Sequence, residues 1–335
     1  MDLDSIRNFS ENVSEGLYQF DIEFQRHLAG RIIGTLITVL IAIIAILGNV
    51  AVVIVSFRDE ILRAQVGNLL IVYLSCVDIL TGLLVMIPSA ISVAFDYWPL
   101  GVKMCKFHAF FNYSFSCSSS LNLTVISVDR AMAIAYPFKY RVKMTTKVIG
   151  KMCAFVFILS FIVGWACAGP NWISYDYSEA ACAMEYTTIV GVYYVFTTCC
   201  FTCYYVPIVV LSICNTIIIV TARKSDKSKQ AIFIRRNNLN NSLKETTESE
   251  NHMKKTIKSM IVVVLTYYIC FTPYALIKQV KTNLGIDMPP QVNYFSTVCL
   301  YVDSAINPFI YAILRKDYRD AFKRLLKFLT RKVFL

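Results

Sequence analysis

The sequence predicts an all-α membrane protein, a bundle of seven transmembrane helices followed by an amphipathic helix. Of its 335 residues, 56% are hydrophobic and only 16% charged, whereas a soluble domain is about 45–50% apolar and about 25% charged. Seven runs are apolar over a length that meets the roughly 20 residues a bilayer core demands. The net charge of +11 is also one-sided. With the N-terminus outside, the outer segments hold seven basic and eleven acidic residues, which leaves 26 of the 33 basic residues on the inner side. That is the sidedness of the positive-inside rule, and it suits an anionic inner leaflet and a cytoplasmic partner rather than nucleic acid.

The first span runs from Ile32 to Ser56 without a charge, and the second from Gly67 to Phe95 with one acid, Asp78. The third, Phe107 to Tyr136, is apolar but rich in Ser and Asn. The fourth is Val148 to Pro170, the fifth Ile189 to Thr221, the sixth Ile257 to Leu276 and the seventh Val292 to Leu314. Barrel strands would be about ten residues long and alternating, which excludes a transmembrane barrel. So much continuous apolar sequence excludes disorder, and 12 cysteines in a chain of this length do not make a disulfide-dense miniprotein.

The expected organisation is an extracellular segment over 1–31, a helical domain over 32–314 and a cytoplasmic tail over 315–335. Asn8-Phe9-Ser10 and Asn12-Val13-Ser14 make Asn8 and Asn12 candidate glycosylation sites. No cleavable leader is recognised, so the first span is expected to insert as its own anchor. The polar stretch 222–256 reads as a flexible third inner loop. In the tail, Tyr318, Phe322, Leu325, Leu326 and Leu329 fall on one helical face, as in a helix lying on the inner leaflet. No cysteine follows, so no palmitoyl anchor is expected.

Short motifs punctuate the spans. Gly48-Asn49-Val50 lies in the first and Leu74-Ser75-Cys76-Val77-Asp78 in the second. Asp129-Arg130-Ala131 ends the third, Pro207 lies in the fifth, Cys270-Phe271-Thr272-Pro273 in the sixth, and Asn307-Pro308-Phe309-Ile310-Tyr311 ends the seventh. In this order and spacing the chain resembles the rhodopsin-like (class A) family of G protein-coupled receptors over about residues 30 to 330. The segments Asp96 to Gly101 and Ile134 to Tyr140 look most like its biogenic-amine branch.

The resemblance implies a receptor that binds a small extracellular ligand and activates a heterotrimeric G protein, with arrestin and receptor kinases as further partners. It implies a disulfide between Cys105 and Cys182, both on the oxidising side. It places ligand contacts at Asn112, Ser116, Cys199, Cys200, Cys203, Phe271, Tyr274, Lys278 and Tyr301. Asp96 and Glu185 are the outer acids open to a cationic ligand, and Lys278 either favours an acidic or polar ligand or reaches to the surface. A structural sodium ion is the one inorganic group implied, with Asp78 as its metal ligand and Ser119, Asp303 and Asn307 beside it. Asp303 departs from the family's asparagine, and two carboxylates in one pocket call for a cation or a proton between them. Coupling to the G protein falls to Asp129, Arg130, Phe138 and Tyr311.

Two further departures sharpen the expectation. The amine-binding aspartate of the biogenic-amine branch is Asn112 here, so the ligand is not expected to be a classical monoamine. The acid that often holds the family's arginine at the foot of the sixth span is Met253, with Glu250 one turn away, so raised basal activity is expected. An amine receptor with a non-standard counter-ion is the alternative within the family. A retinal photoreceptor is excluded by the lack of a lysine between Val292 and Leu314. A transporter or channel is the alternative of a different class, disfavoured by an odd span number and no inverted repeat. An enzyme is not expected, because the three histidines, His27, His108 and His252, lack ligand spacing.

Overall fold

The computed structural model describes residues 26–168, 172–185, 190–235 and 242–333. Helix α1 (Leu28–Arg58) opens the bundle, and the short α2 (Glu60–Ala64) turns the chain at its end. Asp59 starts that turn, its carboxylate accepting from the N–H groups of Ile61 and Leu62 as an N-cap. Helix α3 (Asn68–Thr81) passes through a π-helical turn (Gly82–Met86) into α4 (Ile87–Phe95), so the second span is one rod with a local bulge. Then come α5 (Gly101–Ala135), α6 (Pro137–Lys143) and α7 (Thr146–Ala168). Strands β1 (Ile173–Asp176) and β2 (Ala181–Met184) form an antiparallel hairpin in which Tyr175 faces Cys182. Helix α8 (Val190–Cys200) runs through a second π turn (Phe201–Tyr205) into α9 (Val206–Arg235). The chain closes with α10 (Ser242–Leu284), α11 (Pro290–Leu314) and α12 (Lys316–Val333).

Among the described residues, six helices are long and apolar enough to cross a membrane. The seventh spanning element is α5, whose 35 residues are diluted with Ser and Asn. Those polar residues point inward: Asn112, Ser114, Ser118, Ser120, Asn122 and Ser127 are buried. Helix α5 packs against α3, α7 and α9 and is the central column of the bundle. The helices' outward faces are apolar, with Leu36 and Ile43 on α1 and Ile158 and Trp165 on α7 exposed, as lipid contact requires.

Two expectations change. Helix continues through Arg235 and resumes at Ser242, so most of the stretch read as a flexible loop is helical, and only 236–241 lies outside the described residues. In α12, Tyr318 does not face lipid. It is buried in the bundle core with Phe322 and Leu325 beside it, and its hydroxyl meets Ser56 Oγ at 3.0 Å, while Leu326 stays exposed. Asn8 and Asn12 lie outside the described residues, as do the side chains of Cys200, Glu250 and Met253.

Candidate ligand cavity, hairpin lid and arginine site

A cavity of about 20 Å³ lies in the middle of the bundle, walled by Asn112, Ser116 and Ser119 of α5, Phe271 of α10, and Tyr301, Asp303 and Ser304 of α11. That holds roughly one water-sized particle. Tyr301 is fixed by a 2.9 Å contact with Ser89 Oγ. Just below, Asp78 is 0% exposed and Asp303 6% exposed. Asn307 Nδ2 donates to Asp78 Oδ2 at 3.0 Å, while Asp78 Oδ1, Ser75 Oγ and Ser119 Oγ are buried without a hydrogen-bond partner among the described residues. Orphaned hard oxygens around two acids fit a small monovalent cation, which would bring both charge and coordination.

Beside the cavity, the Cys203 carbonyl lies in the π turn of the fifth span and is met by two side-chain donors. Ser120 Oγ donates to it at 2.5 Å and Tyr267 Oη at 3.0 Å. The rings of Tyr267 and Tyr204 flank Phe271 at 5.2 and 5.7 Å between centroids. This ties α5, α9 and α10 together at the level where the sixth span carries Pro273.

The β1–β2 hairpin closes the end of the bundle nearest the cavity. Cys105 of α5 and Cys182 of β2 form a disulfide with Cα atoms 5.4 Å apart. The Cys182 N–H donates to His108 Nδ1 at 3.3 Å, which puts the imidazole proton on Nε2, within 3.2 Å of the Val85 carbonyl. Met184 N–H donates to Tyr113 Oη at 3.0 Å. On one flank, Ser92 Oγ donates to the Ala180 carbonyl at 3.1 Å, and Tyr177 Oη donates to Asp96 at 2.8 Å with Arg26 paired to the same oxygen. Burial and that carboxylate push the Tyr177 phenol up to about 12. On the other flank, Lys281 Nζ lies 3.2 Å from Asp176 and 2.9 Å from Asp287, and Lys278 pairs with Glu179. Burial pushes the Asp176 carboxyl up, but Lys278, the Ser178 hydroxyl and Lys281 together hold it below the usual carboxylate range.

At the opposite end of the bundle from the hairpin, Arg130 Nε lies 3.4 Å from Asp129 Oδ2, and Tyr140 Oη donates to Asp129 Oδ1 at 2.9 Å. Burial and that acid push the Tyr140 phenol up to about 12. Gly67 admits this pair: a Cβ there would sit 2.7 Å from both Arg130 and Asp129 side-chain atoms. Arg315 is buried and donates to Gln65 and Asn68, both at 3.2 Å, fastening the α11–α12 junction to the start of α3. Tyr311 is buried, its ring centroid 5.5 Å from that of Tyr318, while Phe138 is 86% exposed.

The profile of the seven transmembrane receptor (rhodopsin family) matches residues 48–311, from the glycine motif of the first span to the tyrosine that ends the seventh. The chain belongs to the rhodopsin family of seven-transmembrane receptors. It is 28% identical over 288 residues to trace amine-associated receptor 7h of Rattus norvegicus, covering 84% of this chain and 78% of that one. It is equally similar, 28% over 288 residues with the same coverage, to trace amine-associated receptor 7d of Mus musculus. Among solved structures it resembles squid rhodopsin with a TM-score of 0.80 at 20% identity, over 91% of this chain and 87% of that one. It is therefore a multi-pass plasma-membrane receptor that signals through a G protein, and is not an enzyme.

In this receptor, the expected ligand contacts separate into groups. Asn112, Ser116, Phe271 and Tyr301 share the cavity. Cys199 and Cys203 do not line it; their sulfurs lie 3.9 Å apart, and Cys199 packs against the disulfide cluster. Lys278 neither reaches the surface nor opens to the cavity; it is 2% exposed, its Nζ 5.4 Å from the Tyr274 ring centroid. Of the two expected outer acids, Asp96 is taken by Arg26 and Tyr177 while Glu185 is exposed, and a third acid, Glu179, meets Lys278. A glutamate in a loop carries no motif, so only the hairpin's path reveals it. Ser120, Tyr140 and Arg315 were likewise ordinary polar residues in the sequence.

Proposed function

We propose that this receptor binds a small polar extracellular ligand and responds by promoting nucleotide exchange on a heterotrimeric G protein, with its N-terminus outside. The observation that carries the proposal is the juxtaposition of a lidded cavity at Asn112, Ser116, Phe271 and Tyr301 with the Asp129–Arg130 pair at the far end of the same helix, α5. Agonist binding near Phe271 would bias α10 to pivot at Pro273, opening the inner end for a helix of the G protein beside Arg130, Tyr311 and Phe138. Arrestin, receptor kinases and inner-leaflet lipid are proposed to meet the same basic face, and Asn8 and Asn12 to carry glycans.

The ligand is proposed not to be a classical monoamine. Asn112 offers a neutral hydrogen bond worth about 1 kcal/mol against about 1.5–3 for a charge-assisted one, a loss of roughly tenfold in affinity. The names of the trace amine-associated relatives support the second reading, an amine bound through another acid. Met253 stands where many of the family carry the acid that locks the arginine, and this sequence departure supports raised basal activity. Exchange on purified G proteins by membranes carrying the full chain is expected to exceed that of receptor-free membranes without ligand and to rise with an agonist. Equality with receptor-free membranes, with surface expression confirmed, refutes the reading.

A sodium ion would be held by Asp78 and Ser119, with Asp303 and Asn307 beside it, and would neutralise the buried acids of the resting state. Asp303→Asn is expected to weaken sodium's suppression of basal exchange by about tenfold in concentration and to flatten its pH dependence. Unchanged sodium and pH profiles would remove Asp303 from the site.

A further inference from the structure

We propose that Asp303 is the acid that receives the charge of the ligand, and that the ligand is a primary amine whose ammonium fills the cavity; this rests on the small-ligand reading above and names the acid of its second form. Asp303 lines the cavity together with Asn112 and Ser116 of α5. It is 6% exposed, and no described residue donates a hydrogen bond to it or pairs with it as a cation. Its charged neighbour is a second acid, Asp78, rather than a base. Buried carboxylates are ordinarily paired or hydrogen-bonded, because a solitary one is costly. A ligand that brings the missing cation removes that cost.

The other described acids toward the hairpin are engaged or lie elsewhere. Asp96 is held by Arg26 and Tyr177, Asp176 and Asp287 by Lys281, and Glu179 meets Lys278. Glu185 is exposed and does not line the cavity. Asp78 does not line it either; Asn307 Nδ2 donates to it at 3.0 Å, and its Oδ1, like Ser75 Oγ, is orphaned in a way that suits an ion. Asp303 stands one turn of α11 nearer the hairpin than Asn307. The ligand's charge therefore takes the hairpin side of the two acids and the ion's the far side.

The size of the cavity, about 20 Å³, sets the class of cation. It holds about one water-sized particle. A primary ammonium is of that size and has three N–H donors, for the Asp303 carboxylate, the Ser116 hydroxyl and the Asn112 amide oxygen. A trimethylammonium has no donor and exceeds the space, and an alcohol fits but brings no charge. The aromatic wall of Tyr267, Phe271 and Tyr301 suits a cation and the carbon beside it.

The test uses the purified full-length receptor and a panel of alkyl and arylethyl primary amines, each with its alcohol and its trimethylammonium counterpart. At least one primary amine is expected to raise the thermal midpoint saturably, its two counterparts binding about a hundredfold weaker. Asp303→Asn is expected to abolish that shift, and Asp303→Asn with Asn112→Asp, which moves the carboxylate to the other wall of the cavity, to restore it to within about tenfold. An alcohol or trimethylammonium that binds as well as its amine, or no stabilisation by any amine, would overturn the proposal. So would an amine shift undiminished in Asp303→Asn, and if sodium's effect is weakened in the same variant, Asp303 belongs to the ion alone. Nucleotide exchange is read in parallel. Exchange without amine binding overturns the amine alone, and amine binding with exchange at the receptor-free level overturns the signalling reading alone.

Discussion

Arg130→Ala is expected to reduce agonist-stimulated nucleotide exchange by tenfold or more, within the roughly 5–150-fold range of typical coupling energies, while leaving ligand binding at the outer end intact. In the resting arrangement the guanidinium is held by Asp129, which is itself fixed by the Tyr140 hydroxyl at 2.9 Å. The small residue Gly67 leaves room for the pair, so its geometry is set by packing as well as charge. Removing the guanidinium takes away the charged group that the opened bundle would present to the G protein. It also leaves the buried Asp129 without its cation, so the folded fraction is to be read by ligand-induced thermal shift in the same preparation. Retained exchange in a folded, ligand-binding Arg130→Ala receptor would contradict this assignment.

Gly164→Ala is expected to destabilise the receptor by about 1–3 kcal/mol, the usual cost of overpacking a tight interface. A Cβ at Gly164 would lie 1.9 Å from Ser114 Oγ and 2.9 Å from the Phe110 carbonyl oxygen. The serine hydroxyl can rotate away, but the carbonyl belongs to the backbone of α5, so α7 must back off from the central column. Membrane helices rely on such small residues for close approach. Gly150→Ala is the matched control on the same helix, because a Cβ there meets nothing within 4 Å. It is expected to be neutral or stabilising by up to about 1 kcal/mol, since alanine is the better helix former. Equal thermal midpoints for the two variants would refute the close-packing account.

Most of the bundle was legible in the sequence, because a bilayer forces each span to be apolar and helical over a fixed length. The spans predicted at 292–314 and 67–95 differ from the observed helices by no more than two residues at either end. The third span was legible although it falls short on hydropathy, because Asp129-Arg130 marks its end and its serines and asparagines are turned inward. The lid was not legible. Four-residue strands carry too little pattern, and the pairing of Glu179 with Lys278 spans almost a hundred residues of chain with nothing local to announce it. The π turn at Phe201–Tyr205 was equally silent, because nothing in its local sequence marks it.

The fastened hairpin also bears on time rather than affinity. A cavity with room for about one water, closed by a disulfide and by ion pairs on both flanks, cannot be entered by collision alone. Association must await a rare opening of the lid, so on-rates should fall below the 10⁵–10⁷ M⁻¹s⁻¹ typical of preformed sites. The same gate slows departure. Signalling by this receptor should therefore outlast a pulse of its ligand, and duration, more than sensitivity, is what the lid confers.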